Sequence, residues 1–306
     1  MRGGSPLRHL FLASVLTAWI APSWAASADD ASALDEAQRW VPSVGIIWGL
    51  FGQDSDASSV SSTLTGSNPP EPVRPATSGS QVLLAPFAGG SFELMSPRLF
   101  ESGGQPRLFA HIDGTAAMGF SYDVSKEGDA SQLTPPSFPV PEAEVAGQGS
   151  TTEAQVESAI LTSGAGIAFA VKLGDWHFRI KPSFEYIREE IEVKGVVNRA
   201  VTLPPIPPPP GATTNFRLID LAGSKTKTFH GIGPGLEIEL DAAQIENFAI
   251  TVFLSGQAYA LLGDRDVDFS DSHTDAIGTE TASWHFRPDP WLFRSAMGIR
   301  FRWLPN

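Results

Sequence analysis

The chain has 306 residues, no cysteine and a formal net charge of -13 at pH 7. Without thiols it has no disulfides, thiolate nucleophile or thiolate metal site, and its acidity excludes the basic face that nucleic acids require. No segment after the N-terminus carries the roughly 18 consecutive apolar residues of a membrane-spanning helix.

Arg2 and Arg8 precede a short apolar run, Leu10–Ile20, and small residues then offer cleavage after Ala25 or Ala28. This is the grammar of a secretory leader, too short to span a bilayer as a helix. Residues 1–28 are therefore expected to be removed, with 29–39 left as a short periplasmic segment and 40–303 as one folded unit. Losing two arginines and no acid lowers the net charge from -13 to -15.

Eight segments carry strand character by alternation or β-rich composition. They lie near 40–53, 81–96, 106–122, 160–173, 175–190, 226–240, 246–262 and 290–303. In the fifth, Trp176, Phe178, Ile180, Pro182, Phe184 and Tyr186 share one face; His177, Arg179, Lys181, Ser183 and Glu185 share the other. In the last, Trp291, Phe293, Met297, Ile299, Phe301 and Trp303 oppose Arg294, Gly298, Arg300 and Arg302. The connections alternate strictly between long and short: 54–80, 123–159, 191–225 and 263–289 are long, and the four-way alternation leaves only brief turns at the opposite end. Outer-membrane barrels are built this way, with short periplasmic turns and long extracellular loops. The near-continuous proline run Pro204–Pro210 fits an extended loop tip and no central strand.

A soluble barrel of the lipocalin type would also alternate, with its apolar face inward. The glycines oppose that reading. Gly164, Gly166, Gly231, Gly233, Gly235 and Gly298 share the charged face, where a narrow lumen needs small residues and a water-facing surface does not. The bulky face carries Trp176, Tyr186, Trp291 and Trp303 near strand ends, placed as a lipid-interface girdle. The expected fold is all-β: a closed antiparallel up-and-down transmembrane β-barrel of about eight strands. From Trp40 to Trp303 the pattern resembles the small outer-membrane barrels of the OmpA and OmpX type, in architecture only. The final Ile299-Arg300-Phe301-Arg302-Trp303 is similar to the C-terminal signal read by the outer-membrane assembly machinery. That resemblance implies a Gram-negative outer-membrane location, with the assembly machinery and outer-membrane lipid as partners.

Strand direction brings several inward charges to one layer: Glu93, His111, Asp113, Lys172, His177, Arg179, Lys181, Glu237, Glu239, Arg300 and Arg302. Unpaired charge in a confined lumen is costly, so an ionic plug is expected, with Arg179 and Lys181 paired to Glu237 and Glu239. Above it, Ser255, Gln257 and Tyr259 line an expected shallow vestibule. Asp264, Asp266 and Asp268 have the spacing of a calcium loop, but Phe269 stands where its glycine belongs and Asp275 replaces its final Glu; a solvated acidic loop is the simpler reading. His111, His230 and His285 could each meet a Ser and a carboxylate, but no spacing selects a triad, since triads are defined by geometry. The sequence therefore points to a non-catalytic barrel without cofactor, with a structural or surface-interaction role. Its alternatives are a narrow pore or small-ligand binder, then a lipid-modifying enzyme or a soluble carrier.

Overall fold

The structure, a computed structural model, describes residues 39–65, 74–100, 105–118, 121–127, 144–156, 159–174, 176–203, 215–245, 247–274 and 278–304. The expected leader, most of the 29–39 segment and the proline run lie outside the described residues.

Among the described residues eleven strands are formed: β1 (Val41–Thr65), β2 (Arg74–Arg98), β3 (Arg107–Ala117), β4 (Ser121–Glu127), β5 (Glu144–Val156), β6 (Ala159–Leu173), β7 (Trp176–Leu203), β8 (Asn215–Ile245), β9 (Phe248–Leu262), β10 (Val267–Thr274) and β11 (Gly278–Trp303). Eight of them close a ring in the order β1, β2, β3, β6, β7, β8, β9, β11 and back to β1, every pair antiparallel. Each ring strand contains or overlaps one of the eight expected segments. Gly174, at a positive φ of 62°, turns β6 tightly into β7, a conformation glycine adopts without steric cost.

The stagger of the ring follows from its register. Directly opposed cross-strand partners lead from Arg188 of β7 through Leu161, Gly114, Gly90, Ile46, Ile299, Val252 and Leu240. They return to β7 at Phe178, so the stagger is 188 - 178 = 10 residues. With about 4.8 Å between strands and about 3.3 Å per residue, that closure sets a tilt of about 40° and a radius of about 8 Å. Such a bore holds side chains and little else.

Alternation then decides what each face meets. Ile46, Trp48, Phe184, Leu236, Val252 and Phe301 point out of the ring and are exposed, as are Trp176, Trp291 and Trp303. The twelve steps from Trp291 to Trp303 span roughly 30 Å of height at this tilt, about the thickness of a bilayer's hydrocarbon core. A closed ring with a continuous apolar belt and a charged interior matches lipid outside and leaves no strand edge unpaired. The chain is a membrane-spanning β-barrel.

The long connections are largely strand, where loops were expected. β1, β2, β7, β8 and β11 run on beyond the belt, β10 and the β4–β5 hairpin join them, and β3, β6 and β9 drop out. Two four-stranded sheets result, β4-β5-β7-β8 and β2-β1-β11-β10. They face each other across Ala57, Leu83, Val124, Ala154, Ile191, Val193, Phe229, Val267 and Phe286, with at least one residue from each of the eight strands. A further layer, Val197, Leu221, Ala282 and Trp284, lies beyond. Ser59 and Ser150, one from each sheet, share a 2.7 Å hydrogen bond between their hydroxyls. The sequence hides this head because its inward positions are mostly small, so 54–61 reads as a polar Ser- and Asp-rich stretch. Narrowly spaced sheets can use small residues, and Ser59 and Ser150 satisfy each other's buried hydroxyls across the gap.

Candidate functional site

The lumen near the short-turn end is filled by charge. β7 carries Arg179 and Lys181 inward; β8 carries Glu237, Glu239 and Asp241; β2 supplies Glu93; β11 supplies Arg300 and Arg302. Lys181 is fully buried, with its Nζ 2.7 Å from Glu237, 3.2 Å from Glu239 and in closer contact with Glu93. Arg300 holds Glu237 through both terminal nitrogens, the longer bond being 2.8 Å, and lies 3.2 Å from Glu93. Arg302 bonds Glu239 and stands 3.3 Å from Asp241. Arg179 meets Asp241 at 2.6 Å, although Glu239 is its cross-strand neighbour. Four cations thus interleave with four carboxylates. The guanidinium of Arg300 also stacks 3.9 Å over the Phe253 ring. Asp241 does not figure in the expected cluster, because that reading ends the strand at 240 while β8 continues to Ile245.

A second tier lies above. His111 reaches Glu185 at 3.0 Å and Asp113 at 3.4 Å, and Asp113 accepts from Thr162 at 3.0 Å and lies 3.3 Å from Arg294. Glu185 and Arg294 share the inward alternation of their strands, and that parity was the available signal for them. Gly164 and Gly235 flank the Glu185 side chain so closely that a Cβ at either would collide with it. This is the close packing for which a narrow bore needs glycine.

Other expected positions fall elsewhere. Lys172 and His177 pair across the β6–β7 turn and are exposed at the barrel rim, outside the ionic layer, because the bore opens there. Ser255, Gln257 and Tyr259 are buried, and Tyr259 belongs to an apolar cluster with Phe51, Phe87, Ile187 and Leu292. The expected vestibule is thus packed core, since the head's apolar interior reaches down into the upper bore. Trp176, Trp291 and Trp303 stand half-exposed on the outer face, and Tyr186 lies on the same face, bonded through its hydroxyl to His230 Nδ1 at 2.7 Å.

The three acidic candidates for a metal separate. Asp264 takes Lys227 at 2.9 Å, Asp266 lies 3.4 Å from Arg287, and Asp268 bonds His285 at 2.7 Å. The hydrogen bond from Lys227 holds the Asp264 carboxyl below its ordinary range. Among the described residues no group of His, Asp and Glu has the geometry to hold a metal ion. One carboxylate in the head is of another kind. Glu189 points inward between Ile187 and Ile191, is fully buried, and neither of its oxygens has a hydrogen-bond partner among the described residues. Burial pushes its pKa up to about 8.

No family model matches the sequence, and no curated protein matches it. Among solved structures, the outer membrane protease OmpT of Escherichia coli is 9% identical, with a TM-score of 0.34, covering 86% of this chain and 97% of that one. Ail, the attachment invasion locus protein of Yersinia pestis, is 8% identical with a TM-score of 0.21, over 83% of this chain and 99% of its own. The outer membrane protein OprG of Pseudomonas aeruginosa is 10% identical with a TM-score of 0.22, over 88% and 98%. At these levels no residue role transfers to this chain, and its function is argued from its own geometry.

Proposed function

We propose that this protein is an outer-membrane barrel whose lumen is closed to ions and whose role is to hold a β-sandwich head at the cell surface for interaction. The observation that carries this reading is the balanced ionic layer: four cations against four carboxylates in a bore of about 8 Å radius, capped by the apolar base of the head. Breaking such a layer to admit water would expose charges already satisfied by each other. The short turns and both ends of the barrel then face the periplasm, and the leader supplies export. Outward Ile299, Phe301 and Trp303 form the strand offered to the assembly machinery, with outer-membrane lipid as the belt's solvent. Catalysis has no part in the lumen on this reading.

Planar-bilayer recording of the purified, folded protein tests it. A closed layer gives no steady conductance, and Lys181→Ala, which leaves three carboxylates without their shared partner, opens intermittent steps. Steady single-channel currents from the wild-type protein would instead establish the narrow-pore reading.

A further inference from the structure

The two outer faces of the head are built differently. On β7 and β8 the outward side chains are long and largely spent on one another: Arg188 meets Glu190 at 2.6 Å, Lys194 meets Glu192 at 2.8 Å, and Thr228 donates to Glu190 at 3.2 Å. On β1, β11 and β10 they are shorter. Direct pairing sets Ser58, His285 and Asp268 in one row across these strands, and Val60, Ser283 and Ser270 in the next. Together they line a surface hollow of about 330 Å³. His285 Nδ1 donates to Asp268 Oδ1 at 2.7 Å, and Lys225 donates to the Asp268 carbonyl at 2.8 Å, so this residue is held from two sides. Both ring nitrogens of His285 are turned toward β10, Nε2 lying 3.8 Å from Asp266 Oδ1; the ring is a wall of the hollow and a clamp on Asp268. Asp268 Oδ2 and the hydroxyls of Ser58, Ser270 and Ser283 are unspent, with no hydrogen-bond partner among the described residues.

We propose that this hollow binds one uncharged sugar ring, the terminal unit of a glycan; the proposal rests on the reading of the head as a surface interaction module and names the class of its partner. A pyranose carries hydroxyls around its edge, which donate and accept, and C–H groups on its face, which favour apolar contact. The three serine hydroxyls answer in both senses, whereas Asp268 Oδ2 only accepts and so fixes which edge of the ring it meets. Val60 is the apolar side chain against which the C–H face lies. Strands about 4.8 Å apart, with same-face positions about 6.6 Å apart along each, bring these groups within reach of the hydroxyls of one ring. A hollow of this volume is at the lower end of small-molecule sites, whose mark is a few polar groups converging on one concavity. An anionic sugar would set its charge against the Asp268 carboxylate, and like charges so placed repel. A single ring in an open hollow binds weakly, and many copies on one cell multiply that into attachment.

Saturation-transfer NMR on the folded full-length protein, in a detergent without a sugar headgroup, tests this. The probes are the methyl pyranosides of glucose, galactose, mannose and N-acetylglucosamine, with N-acetylneuraminic acid as the anionic control. At least one neutral pyranoside should bind, with a dissociation constant on the order of 1 mM, and neuraminic acid should not. Ser283→Trp, which fills the hollow, should abolish binding. Asp268→Ala should weaken it at least tenfold, and Asp268→Asn, which keeps an acceptor oxygen, should weaken it less. Thr226→Trp, on the outer face of β8, should leave it unchanged. All three positions are exposed on formed strands, and unchanged heat-modifiable migration verifies each fold. Binding of none of the four pyranosides, binding of neuraminic acid alone, or binding indifferent to Ser283→Trp would each overturn the proposal. Cells displaying the protein should also be retained on beads that carry the bound pyranoside. Binding by the purified protein without retention of the cells would leave the site standing and overturn the display of the head at the cell surface.

Discussion

The same strands obey opposite rules in the two halves of this molecule. Along β7 the outward positions run Trp176, Phe178, Ile180, Pro182, Phe184 and Tyr186, then change abruptly to Arg188, Glu190, Glu192 and Lys194. The inward positions change the other way, from Arg179, Lys181 and Glu185 to Ile187, Ile191, Val193 and Val197. Side-chain direction alternates without a break; the surroundings invert. Below the change, lipid takes the apolar face and charges must satisfy one another inside. Above it, water takes the polar face and the interior becomes an ordinary apolar core. Solvent, not backbone geometry, sets which face is which, and the crossover marks the membrane boundary.

The largest expected effect sharpens the lower half. Removing Lys181 by Lys181→Met leaves Glu93, Glu237 and Glu239 short of a buried partner, and losing one member of such a set costs about 3–5 kcal/mol. Urea unfolding followed on unboiled gels should show that loss; an unchanged midpoint would mean that water already screens the layer. The next contrasts one substitution in two solvents. Leu254→Arg, in the middle of the belt, should cost about 2–4 kcal/mol. Ser224→Arg, on the outer face of the head, should stay within about 0.5 kcal/mol. Equal costs at the two sites would erase the distinction between the halves.

A smaller effect is specific to the head. Burial raises the pKa of Glu189 to about 8 in the folded state, above its ordinary 4.5. The folded protein therefore holds a proton that the unfolded chain releases. Stability is unaffected by this group below about pH 4.5, falls as pH rises from there through about 8, and then levels. Glu189→Met should flatten that fall and stabilise the head by about 1–3 kcal/mol in alkaline solution. Melting followed between pH 6 and 9 by tryptophan fluorescence, with Trp284 in the head's core, checks the sign.

The contrast also explains what could be read from the sequence. Strands that touch lipid declare themselves, because bulky residues such as Trp176, Ile180 and Phe184 alternate with charge and glycine. Lys181, Glu237 and Arg300 were legible as inward for the same reason. The head was not, because Ala57, Ser59, Ser61, Ala154 and Thr152 pack a narrow interior with side chains that resemble a polar loop. Asp241 escaped because strand length is set by pairing with β9, which composition does not report.

The absence of native cysteine makes the inversion directly measurable. Single cysteines placed at outward positions of β7, one variant each at Ile180, Phe184, Glu192 and Lys194, can be exposed to a membrane-impermeant maleimide on intact cells. Cysteine at 192 and 194 should react fully, and at 180 and 184 only after the membrane is dissolved and the protein unfolded. Free reaction at 180 and 184 in intact cells would contradict a lipid-facing belt and, with it, the assignment of the two halves to their two solvents.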